Sequence, residues 1–132
     1  MEKLKQVLDN NKNLALLIER EQPFSLDESI IIPAQTPSSK LGVLTDGKSL
    51  IYPTWLAELK TKSKTGDCIL IIDNLDEIDF VEQEKFYGII KYKGVNGFPF
   101  PNNVQIVATI KTGNINKINE KILSLFVPYK VK

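Results

Sequence analysis

The stretch CILIIDNLDEI, residues 68–78, decides how the chain folds. Its first five residues are apolar, and three carboxylates follow, Asp73, Asp76 and Glu77. An apolar run without polar alternation is typical of a strand buried on both faces of a parallel sheet. Carboxylates behind such a strand are candidate ligands for a divalent cation, because hard cations prefer oxygen ligands. Acidic residues that merely cap a loop give the same pattern, so both interpretations stay open here.

Strands and helices alternate along the rest of the chain. Leu4, Val7 and Leu8 have the spacing of an amphipathic helix over residues 2–12. The alternation predicts an α/β fold of one domain over residues 1–132, with a mostly parallel sheet and helices on both faces. We expect strands at 13–19, 29–33, 68–72, 104–110 and 126–131, the last at an edge, and further helices from Pro53, over 79–92 and over 114–126.

The first two strands carry an ambiguity. About nine residues join them, whereas a parallel crossover usually needs a dozen or more. The two strands could therefore be parallel with a shortened connection, or they could form a hairpin.

Composition excludes several functional classes. The chain of 132 residues has a net charge of +1, no histidine, one cysteine and one arginine, Arg20. The absence of histidine excludes Ser-His and Cys-His catalysis and most transition-metal sites. Cys68 cannot form an intrachain disulfide and is expected to be a buried apolar residue. We see no signal peptide and no apolar run long enough to span a membrane, which indicates the cytoplasm.

Nucleic-acid binding is an alternative function, because several lysines lie close together in the sequence. Lys60, Lys62 and Lys64 lie close together, and Trp55 could stack on a base. The near-neutral charge and the single arginine argue against this class of partner.

In this order of elements, CILIIDNLDEI is similar to the Walker B strand of AAA+ ATPases. The preceding YPTWLAELKTKSKTGD (52–67) resembles the helix that leads into Walker B in MoxR-like and related proteins. VEQEKFYGIIKYKGVNGFPFPNNVQIVAT (81–109) resembles the next helix, turn and sensor 1 strand, and NEKILSLFVPYKV (119–131) resembles the arginine-finger helix and last strand. The resemblance covers about residues 49–131. It implies a truncated P-loop NTPase core with strand order 5-1-4-3-2, in which residues 13–18 and 104–110 are central neighbours.

The departures from that family concern its catalytic parts. The segment REQPFSLDE (20–28) has no glycine where the family carries the phosphate-binding loop, Walker A. Asn74 stands where the family has its catalytic glutamate, and an amide cannot act as a general base. Leu125 and Phe126 replace the arginine-finger pair, and the helical lid is missing, whereas Thr109 of sensor 1 is kept. The resemblance therefore implies a pseudo-ATPase that is not an enzyme.

We accordingly predict a non-catalytic protein-interaction or regulatory protein derived from an AAA+ core, with no cofactor. The alternative is a residual nucleotide- or magnesium-binding protein centred on Asp73, with Asn74, Asp76, Glu77 and Thr109 as the remnant site.

A protein partner or self-association follows from two further features. Phe98 and Phe100 lie on a proline-stiffened loop and are candidates for a partner surface, with packing under the sheet as the alternative. Loss of the family's first helix would also leave one sheet face open. If residues 2–12 do not cover that face, a second copy or another protein must cover it.

Overall fold

The structure is a computed structural model that describes residues 2–22, 26 and 29–131. Its helices are α1 (Glu2–Asn10), α2 (Thr54–Ser63), α3 (Phe80–Gln83), α4 (Tyr87–Tyr92) and α5 (Glu120–Leu123). Its strands are β1 (Leu16–Arg20), β2 (Ser29–Pro33), β3 (Leu44–Thr45), β4 (Leu50–Ile51), β5 (Cys68–Asp73), β6 (Gly94–Val95), β7 (Phe98–Pro99), β8 (Val104–Lys111) and β9 (Val127–Lys130). Single 3₁₀ turns lie at Ser38–Lys40, Leu75–Glu77, Glu84–Phe86 and Ile115–Lys117.

Five strands form one sheet in the order β2-β5-β8-β1-β9, and every pairing in it is parallel. The predicted α/β fold is confirmed, and so is the central pairing of residues 13–18 with 104–110. The hairpin alternative for the first two strands is wrong, because β5 and β8 lie between β1 and β2. The apolar run of β5 reflects its place between β2 and β8, with helices over both of its faces.

One face of the sheet packs against α2, α4 and α5 and forms the larger core. Trp55, Leu56 and Leu59 bring α2 onto this face, and Phe86 lies buried just before α4. The strand residues that they cover follow the two-residue period of a pleated strand, as Leu70 and Ile72 do on β5.

The opposite face is covered by α1. Leu4 and Leu8 pack with Leu16, Ile18, Ile71 and Val107 in a second apolar cluster. Buried Gln105 of β8 donates from Nε2 to the carbonyls of Leu8 and Asn11, at 3.2 and 3.0 Å. The C-terminal end of α1 is thereby hydrogen-bonded to the sheet, and residues 2–10 cover the face that we expected to need a cover.

Three expectations about individual segments are corrected. Residues 79–92 form α3, a 3₁₀ turn and α4 rather than one helix, and within 114–126 only Glu120–Leu123 is α-helical. The prediction of an exposed phenylalanine pair is wrong for Phe100, which is 6% exposed and packs edge-on against Trp55 with ring centroids 6.0 Å apart. Phe98 is half-buried and contacts the ring of Tyr52.

In the part of the chain that the structure describes, no helix has the length and apolar character needed to cross a membrane.

Candidate functional site

The carboxyl ends of three neighbouring strands bring polar residues to one edge and one face of the sheet. Ile72 of β5 pairs with Ala108 of β8, so the next residues, Asp73 and Thr109, lie side by side. On the other side of β8, Thr109 pairs with Ile18 of β1. Arg20 lies two residues beyond Ile18 and therefore points to the same face.

Arg20, Asp73, Asn74 and Thr109 form a connected set that we call the strand-end cluster. Arg20 Nη2 donates to Asp73 Oδ1 at 3.1 Å and to Asn74 Oδ1 at 2.9 Å. Thr109 Oγ1 donates to Asp73 Oδ1 at 2.7 Å and accepts from the Asn74 backbone N–H at 2.9 Å. Asn74 Nδ2 donates to Asp73 Oδ2 at 3.3 Å. Both oxygens of the Asp73 carboxylate thus already accept hydrogen bonds from the protein.

The charges of the cluster compensate each other at a partly buried position. The Arg20 side chain is 10% exposed, the Asp73 side chain is 32% exposed, and Thr109 is 1% exposed. A guanidinium and a carboxylate lose hydration at such a position, and their mutual attraction offsets part of that cost. The arrangement is a partly buried ion pair at the carboxyl ends of β1 and β5.

Asn74 has a backbone role in addition to its side-chain contacts. Its φ of 60° and ψ of 49° place it in the left-handed region at the start of the Leu75–Glu77 turn. Asparagine adopts this conformation more readily than most residues with a side chain. Asn74, which the AAA+ resemblance aligns with a glutamate, therefore also suits the sharp turn that follows β5.

Asp76 and Glu77 do not join the strand-end cluster. Asp76 Oδ2 accepts from the Lys111 backbone N–H at 3.2 Å and from Asn114 Nδ2 at 2.7 Å, so it holds the segment that follows β8. Glu77 is exposed. Within the described ranges, no group of three or more His, Cys, Asp or Glu residues is arranged to hold a metal ion.

Above the cluster lies a polar cleft of about 690 Å³. Among the described residues, three cationic and three acidic side chains line it, so these side chains give the cleft no excess positive charge. Its lining is Arg20, Glu21, Gln35, Asn74, Asp76, Glu77, Lys111, Asn114 and Lys117.

Gln83 of α3 stabilises the turn that follows β5, a role that the sequence did not predict. It is fully buried, and its Nε2 donates to the carbonyls of Ile78 and Lys117 at 3.1 and 2.8 Å. Its Oε1 accepts from the Asn119 backbone N–H at 2.7 Å. One amide group thus ties the turn after β5 to the segment that follows β8.

No family model and no curated protein matches the chain. Among solved structures, the chain is similar to a DNA polymerase III gamma subunit-related protein from Thermotoga maritima, with a TM-score of 0.52 and 12% sequence identity. The two chains share a fold. The match covers 99% of this chain and 45% of the other, so the chain spans less than half the length of that structure. This likeness shows a shared α/β fold, and it does not bear on a closer relation to MoxR-like proteins.

Three members of the strand-end cluster, Asp73, Asn74 and Thr109, were predicted from the sequence, whereas Arg20 was not. Arg20 was expected in the loop after the first strand, but β1 extends to Arg20. The available signal was the position of the chain's only arginine directly behind the apolar run LALLIE, at the same sheet edge as Asp73.

The lysines of α2 mostly contact groups of the protein itself. Lys60 Nζ lies 4.3 Å from the centroid of the Tyr52 ring, and Lys62 Nζ donates to the Ser29 carbonyl at 3.2 Å. Lys64 is exposed. These three residues therefore offer a nucleic-acid backbone no continuous row of unengaged charges.

Proposed function

We propose that the chain is a non-catalytic protein, a pseudo-ATPase, that acts by binding other proteins and uses no nucleotide or metal cofactor. The observation that carries the proposal is the hydrogen-bonded ion pair between Arg20 and Asp73. It supports a structural role for the aspartate that the AAA+ resemblance equates with a magnesium ligand.

The ion pair argues against magnesium binding for a reason of charge. A magnesium ion bound through Asp73 would have to displace the Arg20 guanidinium or lie beside it. The side chain of Arg20 is only 10% exposed. Its guanidinium, once displaced, would therefore need another partner in the protein or a path to water.

The cleft supports the same proposal. Phosphoryl transfer depends on positioning and on positive charge that stabilises the transferring group. The cleft balances its three cations with three carboxylates, and Asn74 cannot serve as a general base. Residues 21–28 contain no glycine with which to build a loop of backbone N–H groups around phosphates.

A second candidate function is residual binding of a nucleotide with magnesium at Asp73. The polar cleft favours it, because ligands of open α/β sheets bind outside the carboxyl ends of the strands. In that case the nucleotide would have to bind without a glycine-rich loop, and Arg20 would contact a phosphate instead of Asp73.

A thermal-unfolding titration with ATP and ADP, each with and without Mg²⁺, separates the two candidates. A ligand at 100 times its dissociation constant adds about 2.7 kcal/mol to the free energy of unfolding. We expect no shift in the melting temperature at millimolar nucleotide. A magnesium-dependent shift that disappears in Asp73→Ala would replace the proposed function with the second candidate.

A further inference from the structure

We propose, building on the protein-binding function above, that the outer edge of β2 accepts an extended, uncharged apolar segment of a partner protein as an added strand. The first observation is the open backbone of that edge. In the described part of the chain, β5 is the only strand that pairs with β2. The Ala34 N–H donates to the Asp73 carbonyl, so by the alternation of a strand the N–H groups of Ile30 and Ile32 also face β5.

The N–H and C=O of Ile31 then face away from the sheet. The Ser29 carbonyl points to the same outer side, since the Lys62 ammonium reaches it from α2. An added strand would find a donor and an acceptor at Ile31, whereas the carbonyls on either side already accept hydrogen bonds: that of Ser29 from Lys62, and that of Pro33 from the Thr36 N–H at 3.0 Å. Main-chain bonds to such an edge supply affinity, and adjacent pockets supply specificity.

The two edges of the sheet differ in their protection. Proteins commonly protect edge strands with proline or with charged side chains. The opposite edge strand, β9, carries Pro128 within it and ends at Lys130. β2 has the sequence SIIIP, so it ends at a proline too, and Lys62 reaches its Ser29 carbonyl; the difference is that β2 carries no charged side chain of its own and that Ile31 is 49% exposed.

A groove for side chains runs beside this edge. Its volume is about 480 Å³, within the usual range of pockets that hold a small ligand. Leu44 and Ile51, paired across the β3–β4 hairpin, are 53% and 48% exposed and form one wall. Tyr52 and Trp55 continue that wall into α2.

Charge and size decide which occupant fits. Among the described residues, the lining holds one lysine, Lys40, and one carboxylate, Glu58, so these residues offer no net charge to a charged segment. The half-exposed apolar side chains of this surface present on the order of 400 Å². A stable dimer of two folded copies needs about 800 Å² from each partner, so the surface suits a short segment better than a second copy.

The test begins with a library of random eight-residue peptides displayed on phage and selected on the intact protein. We expect the enriched peptides to alternate apolar with small polar residues and to lack charge. A synthetic peptide of the enriched sequence should bind Ile31→Lys at least tenfold more weakly than the unsubstituted protein. Val81→Lys is the matched control, because Val81 is 76% exposed on α3, and it should bind the peptide unchanged.

Two further measurements keep the result interpretable. Urea unfolding must show that Ile31→Lys is folded; if it is not, Ile51→Lys on the facing wall replaces it with the same tenfold expectation. Hydrogen exchange of the Ile31 amide should slow when the peptide is added, because the added strand occupies that N–H.

The proposal is overturned if no peptide is enriched, or if Ile31→Lys and Val81→Lys bind the peptide equally. It is also overturned if sedimentation shows a dimer that Ile31→Lys dissociates, since the occupant would then be a second copy. None of these results changes the nucleotide titration. If the β2 edge binds no peptide and the protein binds no nucleotide, only the docking site is refuted. If the protein binds nucleotide in a magnesium-dependent way, the proposed function is refuted.

Discussion

Arg20 Nη2 lies 3.1 Å from Asp73 Oδ1, so the only arginine of the chain pairs with the aspartate at the end of the apolar strand β5. The same nitrogen donates to Asn74 Oδ1 at 2.9 Å. These contacts join the end of β1 to the end of β5 across the intervening strand β8. Asp73 therefore has a specific partner within the protein, and the energetic consequences of this pairing can be measured.

The two single substitutions of this pair should together cost more free energy of unfolding than the double substitution. We expect Asp73→Ala to lower the free energy of unfolding by about 2 kcal/mol, because it leaves a largely buried guanidinium uncompensated, while the partial exposure of the site moderates the loss. Adding Arg20→Met should recover at least about 1 kcal/mol relative to the sum of the two single losses. Urea unfolding of the four proteins measures this coupling.

The control for that cycle is an exposed ion pair of similar length. Lys12 Nζ lies 2.7 Å from Asp67 Oδ2, but both side chains are more than half exposed. Asp67→Ala should therefore change the stability by less than about 0.5 kcal/mol. Strict additivity of the Arg20 and Asp73 substitutions would contradict the structural role assigned to the pair.

Gln83 should be among the most sensitive polar positions. Gln83→Ala leaves the Asn119 N–H and the carbonyls of Ile78 and Lys117 without their partner, which should cost about 3 kcal/mol. Gln6→Ala on the exposed side of α1 is the matched control and should stay within about 0.5 kcal/mol. Equal stability of the two variants would mean that water or a rearranged loop replaces the Gln83 amide.

The cover provided by α1 predicts a specific effect of Leu8→Ala. Leu8 is 2% exposed, and its truncation should cost about 2–4 kcal/mol and increase the binding of a hydrophobic dye to the uncovered sheet face. Lys5→Ala, at an exposed position of the same helix, should have neither effect. A stable Leu8→Ala variant without dye binding would show that α1 does not cover the sheet in solution.

Two glycines provide a paired test of the segment that leads to Phe100. A Cβ on Gly94 would lie 2.6 Å from the Phe98 carbonyl oxygen, whereas a Cβ on Gly88 would meet nothing within 4 Å. Gly94→Ala should therefore destabilise the protein by about 1–3 kcal/mol through overpacking. Gly88→Ala should stabilise α4 by up to about 1 kcal/mol. Thermal unfolding measures both effects on stability. The same sign of effect in the two variants would contradict the geometry of the hairpin formed by β6 and β7.

The β3–β4 hairpin has a carboxylate that should titrate at unusually low pH. The backbone N–H groups of Ser49 and Lys48 donate to Asp46 and hold the pKa of its carboxyl below the ordinary value of 3.8. Because the pKa is lowered in the folded state, ionised Asp46 stabilises the hairpin at pH values above the ordinary pKa. This stabilisation is lost as the pH falls through the pKa of the folded state. An NMR titration should give Asp46 a lower midpoint in the folded protein than in urea, and equal midpoints would contradict the turn.

The strands were predictable because their apolar runs are long and bounded. Residues 29–33 and 104–110 match β2 and most of β8, and Pro128 correctly indicated an edge strand. The prediction of a helix over residues 114–126 was too long. Ile118 and Ile122 have helical spacing, but both are buried in the core although only Ile122 lies in a helix. The Asn119 side chain accepts from the Lys121 N–H and thereby caps a shorter helix at this point. Such local side-chain bonds of asparagine compete with the continuation of a helix.

The site was predictable only in part, because its partners come from three strands. Asp73 and Asn74 are adjacent in sequence, and the resemblance to the sensor 1 strand indicated Thr109, but pairing Arg20 with Asp73 requires knowing that β1 extends to residue 20. The buried contacts of Gln83 and Gln105 depend on loop and helix positions that no periodicity in the sequence encodes.

The central claim is that Asp73 serves Arg20 and not a metal ion, and paramagnetic NMR tests it most directly. Mn²⁺ added with ATP takes the place of Mg²⁺ and broadens the signals of nearby nuclei. We predict that the amide signals of Asn74 and Thr109 broaden no more than those of exposed residues elsewhere. Selective broadening of these two signals that disappears in Asp73→Ala would contradict the claim and show a working metal site.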